Sequence, residues 1–448
     1  MKKLSLLLVP AVLLVAPLTT SADQSATPTD QDPLANITVT LSANGRPLPK
    51  LALIPSLSAD LEDVTLNSVV KRDLDLSGEF EIMGDSATPD NAYADPPDVK
   101  AWQAKGVENL VHVTAHKIND KEAELRGQAF VVATGADPIY DKRFTVPLAD
   151  VRIESHRLSD LLIGAFTGFN GSFASHMTFA LGTGNVRQVF RMDADGFDAT
   201  AVSPAGRVAL APTYGPNDEL YYSASVNKGL YKIYTANAGP LSLNVDGSVY
   251  GIAFNKDRSK VAVTIGSGSE INLFVGPSLT ELQPGPKAAM VLRPGFTPTG
   301  KLLYAGEGKF GNERIFVDDK PISPEGIFAT SPTFCKSPDG NRIVFAAGAS
   351  KQTDLVITGE AGGDLGRLTQ GAGSNSYPAC SPDGRLVAFF STRTGGEGPG
   401  LYIMRIDGGG RAKRVSSLVG DSLRWDPYPP GKISDPNAGQ AKKAAEKK

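Results

Sequence analysis

The chain has 448 residues, 41% of them hydrophobic, and a formal net charge of −3 from 45 Lys plus Arg against 48 Asp plus Glu. That length and apolar content suit two or three domains with their own cores, and the balanced charge offers no positive field to gather phosphates, so nucleic acid is not an expected partner. Two cysteines, Cys335 and Cys380, and four histidines, His112, His116, His156 and His176, show no tight ligand spacing; neither a disulfide-built fold, a metal site nor a cofactor is expected.

Lys2 and Lys3 precede an apolar run from Leu4 to Ala16, and small or polar residues end at Thr20-Ser21-Ala22. Residues 1–22 therefore read as a secretory signal peptide cut after Ala22. No cysteine lies near the cut and no later apolar run approaches the roughly 18 residues a membrane span needs, so neither a lipid anchor nor a span is expected. Residues 23–35, with Pro28 and Pro33, offer little to bury and read as a flexible leader.

Ile37, Val39 and Leu41 alternate with polar residues, and Leu51 to Ile54 follows a turn through Asn44-Gly45-Arg46-Pro47; both runs predict strands. Leu66, Val69, Val70 and Leu74 recur at helical spacing, and Ser77-Gly78 is a stop before Phe80 and Ile82 resume alternation. Strand patterns at 108–116 and 123–133 and a helical stretch at 156–165 complete a small α/β domain over 36–165.

From residue 172 short β-type runs alternate with Gly, Asp, Asn and Pro. The repeat is plainest in Ser337-Pro-Asp-Gly-Asn-Arg-Ile-Val-Phe345 and Ser381-Pro-Asp-Gly-Arg-Leu-Val-Ala-Phe389. Gly takes the turn position with positive φ, Pro fixes φ and Asp bonds the turn backbone. Degenerate copies place the residue before each turn at Tyr214, Phe254, Phe296, Phe334, Cys380 and Trp425, successive positions being 40, 42, 38, 46 and 45 residues apart. One four-stranded blade per interval predicts a six-bladed all-β propeller over 172–428. Trp425 has no hairpin partner after it, and Met177 to Leu181 has no anchor before it, so residues 422–427 are expected as the innermost strand of the blade formed by 175–203. The C-terminal strand would close the ring, and residues 429–448 read as a disordered tail.

The fold class expected is thus an α+β two-domain chain, a small α/β domain followed by the propeller. Ile37-Thr-Val-Thr, Gly45-Arg-Pro, Leu53-Ile-Pro55, Asp73-Leu-Asp-Leu-Ser-Gly-Glu-Phe80 and Leu161-Leu-Ile-Gly-Ala-Phe-Thr-Gly168 together resemble the amino-terminal domain of the TolB family. Met192-Asp-Ala-Asp-Gly196, Tyr377-Pro-Ala-Cys-Ser-Pro-Asp-Gly384 and Trp425-Asp-Pro-Tyr428 resemble its propeller. The resemblance covers about residues 36–428. It implies a monomeric, non-enzymatic periplasmic component of the Tol-Pal system that binds peptidoglycan-associated lipoprotein and a TolA-like inner-membrane protein, in outer-membrane integrity and cell division. A secreted propeller enzyme or carbohydrate-binding protein sharing the blade motif is the alternative, which would have no reason to carry the 36–165 pattern.

Other motifs read as turns. Gly295 to Lys301 matches a phosphate loop except that Leu302 replaces the Ser or Thr, and a strand-like run follows. Gly306 to Gly311 has dinucleotide spacing but also precedes a strand. Asp193-Ala-Asp-Gly-Phe-Asp198 lacks the bidentate acid of a calcium loop, and no Gly-x-Ser-x-Gly occurs. Cys335 and Cys380 sit just after and at the anchors of neighbouring blades, making a disulfide a candidate; a register that separates them is the alternative. Partner binding is expected at the mouth of the central channel, where segments leading into the inner strands converge. The residues chosen are Thr213, Tyr250, Arg293, Ser331, Thr333, Asn375, Ser376, Tyr377 and Arg424.

Overall fold

The computed structural model describes residues 32–38, 47–184, 186–286, 290–309, 311–337, 340–349, 352–409 and 411–433. The expected signal peptide, residues 39–41 of the first expected strand and the tail from 434 lie outside these residues.

The amino-terminal domain is a five-stranded sheet in the order β2 (Glu81–Ile82), β1 (Lys50–Leu53), β3 (Asn109–Lys117), β4 (Glu122–Val131), β5 (Tyr140–Pro147). β1 runs parallel to β2 and β3, and the β3-β4-β5 meander is antiparallel. Alternation along the strands sends Leu51, Val111, Val113 and Leu125 to one face, where α1 (Leu61–Leu76) brings Leu66, Val70 and Leu74 and α3 (Val151–Thr167) brings Leu158 and Leu162. Gly127 permits that approach, because a Cβ there would stand 2.7 Å from Leu158 Cδ1. On the other face Ala52, Leu110 and Phe130 enclose Trp102 of α2 (Val99–Ala104). The side chain of Asp98 caps α2, accepting from the Lys100 and Ala101 amides.

The carboxy-terminal part is β-rich. Four sheets have four antiparallel strands each, led by Ser248–Phe254, Leu292–Phe296, Phe328–Ser337 and Asn375–Cys380. A seven-stranded sheet contains Arg207–Tyr214 and, earlier in the chain, β6 (Ser175–Thr183) and β7 (Val186–Asp193). The C-terminal strand Asp421–Pro427 pairs antiparallel with β6, matching Trp425 with Met177. Trp425 is buried and its indole N–H donates to Ser175 Oγ at 2.7 Å. Each of the six leading strands packs beside the next, and Asp421–Pro427 also packs beside Arg207–Tyr214.

Turn chemistry behaves as its residues require. In Ser381-Pro-Asp-Gly384 the Gly has φ 74° and its amide donates to Ser381 O; a Cβ would meet Lys336 O at 2.2 Å, so two sheets touch through this glycine. Gly295 to Lys301 is a hairpin, Thr297 N donating to Lys301 O between strands Leu292–Phe296 and Leu302–Glu307. Cys335 and Cys380 are joined as a disulfide with Cα atoms 5.3 Å apart.

Both ends of the described chain correct an expectation. The leader assigned to 23–35 is docked where it is described, and residues 37–38, expected to begin a strand, belong to the same turn-rich segment. Leu34 is buried among Ile315, Val317, Ile343 and Phe345, Asp32 Oδ2 accepts from Arg367 Nη1 at 2.5 Å, and Thr38 O accepts from the Arg367 amide. One leucine and one carboxylate suffice to dock a segment whose composition looks unstructured. The tail assigned to 429–448 begins equally docked: Ile433 is buried, and the Glu154 carboxylate accepts from the Lys432 and Ile433 amides at 2.8 Å each.

Candidate functional site

The six leading strands of the five β-rich sheets converge on one cavity, lined among others by Tyr250, Arg293, Ser331, Tyr377 and Arg424. Those strands share a defect that shapes it. Register shifts fall between Thr330 and Thr333, Ser376 and Ala379, Leu292 and Gly295, Val249 and Gly251, and Asp421 and Arg424, with the matching shift opposite Tyr221 and Ser223. Ala211, Arg293, Ser331, Tyr377 and Ser422 all sit in the left-handed region, with φ between 52° and 55°. Such bulges end regular pairing and re-aim side chains, and left-handed non-glycine residues carry strain of about 1–3 kcal/mol each that the surrounding fold must impose. Every one of the five lies three residues before its anchor, and four are followed by Pro.

The charged groups lining the cavity are held by specific contacts. Arg293 Cζ lies 4.5 Å from the centre of the Tyr377 ring and Nη2 is 3.2 Å from Tyr377 Oη, while Arg424 Nη2 donates to Pro294 O at 3.3 Å. Burial, joined by the charge of Arg293, holds the Arg424 guanidinium below its usual range. Tyr250 is half-exposed and its ring lies 5.9 Å from that of Tyr231.

Of the nine residues singled out by sequence, Tyr250, Arg293, Ser331, Tyr377 and Arg424 line this cavity. Thr213 is buried in the ladder opposite Tyr221, and Ser376 pairs with Phe390. Thr333 Oγ1 accepts from the Cys380 amide. Asn375 is fully buried, donating to Asp354 and Thr369. Sequence reasoning missed Ala211, Pro294, Pro332, Pro378 and Ser422 in the lining; the x-Pro pair three residues before an anchor was the available signal.

A second cluster lies where the helices meet the β-rich part. Arg152 of α3 donates to Asp193 at 2.8 Å and Asp195 at 2.5 Å, and His156 Nδ1 is 2.8 Å from Asp73 Oδ2 of α1. Tyr428 Oη donates to Asp193 at 2.6 Å. Burial alone would push the His156 pKa down, but the charge of Asp73, its hydrogen bond to Nδ1 and the Asp193 carboxylate 3.8 Å from Nε2 outweigh it and lift it to about 10. Asp73, His156 and Asp195 offer ligand atoms within 4.8 Å of one another, yet Arg152 already occupies Asp195 and the imidazolium occupies Asp73. The arrangement is a buried ion network joining two domains, and Asp193 to Gly196, the half-calcium-loop motif, serves as its β-side arm.

Contacts nearby extend this seam. Arg72 donates to the carbonyls of Asp195, Arg414 and Val415, Lys413 pairs with Asp75, and Glu79 pairs with Arg405 and Arg385. The strands Asn375–Cys380 and Asp421–Pro427 end at this seam, through the turn at 381–385 and Tyr428. Their opposite ends carry Tyr377 and Ser422, so the cavity opens on the face away from the amino-terminal domain.

Comparison with known proteins agrees with this architecture. A family model described as the TolB amino-terminal domain matches residues 37–136. The Tol-Pal system protein TolB of Albidiferax ferrireducens is 25% identical over 202 residues, 45% of this chain and 47% of that protein; the TolB of a Polaromonas species is 25% identical over 158 residues, 34% and 35% of the two. The chain thus spans about half or less of the length of the curated relatives it matches. The crystal structure of TolB from Acinetobacter baumannii superposes with a TM-score of 0.72 at 21% identity, covering 86% of this chain and 98% of that one, which shows a shared fold. The resemblance to the TolB family read from the sequence is borne out.

Proposed function

We propose, from the premise that this is a TolB-family chain, that it is a non-enzymatic, protein-binding component of the Tol-Pal system in the periplasm. Its relatives carry that system's name. In this reading the amino-terminal domain spans 36–165, and the β-rich part, 172–428, is a six-bladed propeller closed by its C-terminal strand. The pairing of Asp421–Pro427 with β6 and the contact of each leading strand with the next support the closure.

The partner bound at the channel mouth is peptidoglycan-associated lipoprotein, and a TolA-like inner-membrane protein contacts the amino-terminal end, the two linking the chain to outer-membrane integrity and constriction at division. The observation that carries this reading is the convergence of side chains from four separate sheets, Tyr250, Arg293, Tyr377 and Arg424, on one concave surface facing away from the other domain. Tyr and Arg are the residues that most often dominate protein interfaces. In-cell cross-linking of the tagged full chain, followed by purification, is expected to recover an outer-membrane peptidoglycan-associated lipoprotein; a folded, exported chain that never cross-links to it would overturn the reading.

A further inference from the structure

The cavity at the channel mouth holds more positive charge than its own carboxylates answer. Arg293 and Arg424 bond to Tyr377 Oη and to Pro294 O, both uncharged acceptors. Among the described residues neither guanidinium forms an ion pair with a carboxylate. Arg293 Nε is buried with no hydrogen-bond partner, and so is the hydroxyl of Ser331, a residue only 6% exposed. Both residues line the same cavity as Arg424. A buried donor without an acceptor is costly, and two such donors beside the Arg424 guanidinium around one space point to an acceptor that arrives from outside.

The charge of that acceptor follows from the neighbours. Glu313 feels the Arg293 charge and takes a hydrogen bond from Thr330 Oγ1 at 2.5 Å. Asp426, two residues along from Arg424 on the same strand face, answers first to Arg258 and then to Arg424. Neither carboxylate lines the cavity, whose charged lining residues are Arg293 and Arg424. A carboxylate, with one negative charge and two acceptor oxygens, answers those donors and matches the planar fork of a guanidinium.

We propose that the channel mouth is an anion-receiving site built for one carboxylate, presented by an Asp or Glu side chain of the protein that docks over it. Arg293 supplies Nε from a guanidinium already fixed on the Tyr377 ring, Arg424 supplies its free N–H groups, and Ser331 supplies a hydroxyl. The five left-handed bulges hold this set in place, so little ordering remains to be done on binding. The source of the carboxylate rests on the docking reading above; the anion site itself does not.

The test uses the full chain and free acetate, with acetamide as the neutral isostere at constant ionic strength, following the arginine Nε–Hε resonances by NMR. Acetate should shift the Arg293 resonance saturably, acetamide should not, and Arg424→Gln should weaken acetate at least tenfold while Arg424→Lys retains part of the effect. No saturable shift, or an equal response to acetamide, overturns the proposal, as does an Arg424→Gln protein that melts normally and binds acetate unchanged. Acetate binding together with a lipoprotein interaction indifferent to Arg293 would uphold the anion site and sink the docking reading. The reverse pair of results would do the opposite.

Discussion

The His156 imidazolium lies between Asp73 of its own domain and Asp193 of the β-rich part. Its folded pKa of about 10 lies above the free value of about 6.5, so its contribution is complete below about 6.5 and is lost as pH rises toward 10. His176 runs the other way: burial, joined by the charge of Arg191, pushes its pKa down to about 4, and stability is lost as pH falls from about 6.5 toward 4. Thermal denaturation should show a maximum near neutrality with losses on both sides, and His156→Gln should flatten the alkaline limb. Breaking a buried pair by removing one partner typically costs about 3–5 kcal/mol, and a His156→Gln protein with unchanged urea midpoint and pH profile would contradict this. The disulfide closes a separation of 45 residues, for which chain entropy gives about 4 kcal/mol. A Cys335→Ser, Cys380→Ser double variant should unfold at clearly lower denaturant, and two free thiols in unreduced denatured protein would rule the bond out. None of the ion network was legible in the sequence, because the packing of α1 on α3 brings Asp73 to His156 and packing between the domains brings Asp193 to His156.

At the level of elements, the terminal strand is the most informative. Deleting 421–448 removes an entire leading strand and Trp425, whose burial loss alone costs about 3–5 kcal/mol against a total stability of about 5–15 kcal/mol; the protein should unfold or aggregate. Deleting 434–448 should change little. Deleting 431–448 falls between, since it exposes the pocket of Ile433 and takes two amide donors from the buried Glu154 carboxylate; truncations ranked otherwise in thermal melts would contradict these assignments. The strand at 421–427 was foreseeable because its anchor lacked a hairpin partner. By contrast β5 was missed, being a half-exposed edge strand with little apolar alternation, and α2 was missed because six residues with one buried side chain, Trp102, show no helical period. The docked leader was illegible for a related reason: Leu34 is ordered by a surface formed from residues some 280 to 310 positions away, Ile315 to Phe345.

For the whole molecule, the seam holds the amino-terminal domain against the end of the β-rich part opposite the cavity, through a continuous core containing Leu162, Phe173, Met177 and Trp425. Arg72→Gln with Arg152→Gln should loosen that seam, seen as faster hydrogen exchange in residues 193–198 while exchange around Tyr377 stays slow; equal protection in both would mean the arginines are incidental. That approach segments gather around one cavity was legible in outline because each repeat contributes one, but the lining depends on bulges that shift the register within each leading strand. Tyr250, Arg293, Ser331, Tyr377 and Arg424 fell on the open side of those bulges, while Thr213, Thr333 and Asn375 fell into ladders and buried bonds.

Capture of the lipoprotein at the proposed site is tested by calorimetric titration of purified peptidoglycan-associated lipoprotein into the full chain and its Tyr250→Ala, Arg293→Ala, Tyr377→Ala triple variant. Binding to the variant is expected to be at least tenfold weaker, about 1.4 kcal/mol, with a melting temperature close to that of the unaltered chain. Unchanged affinity in a folded triple variant would contradict it.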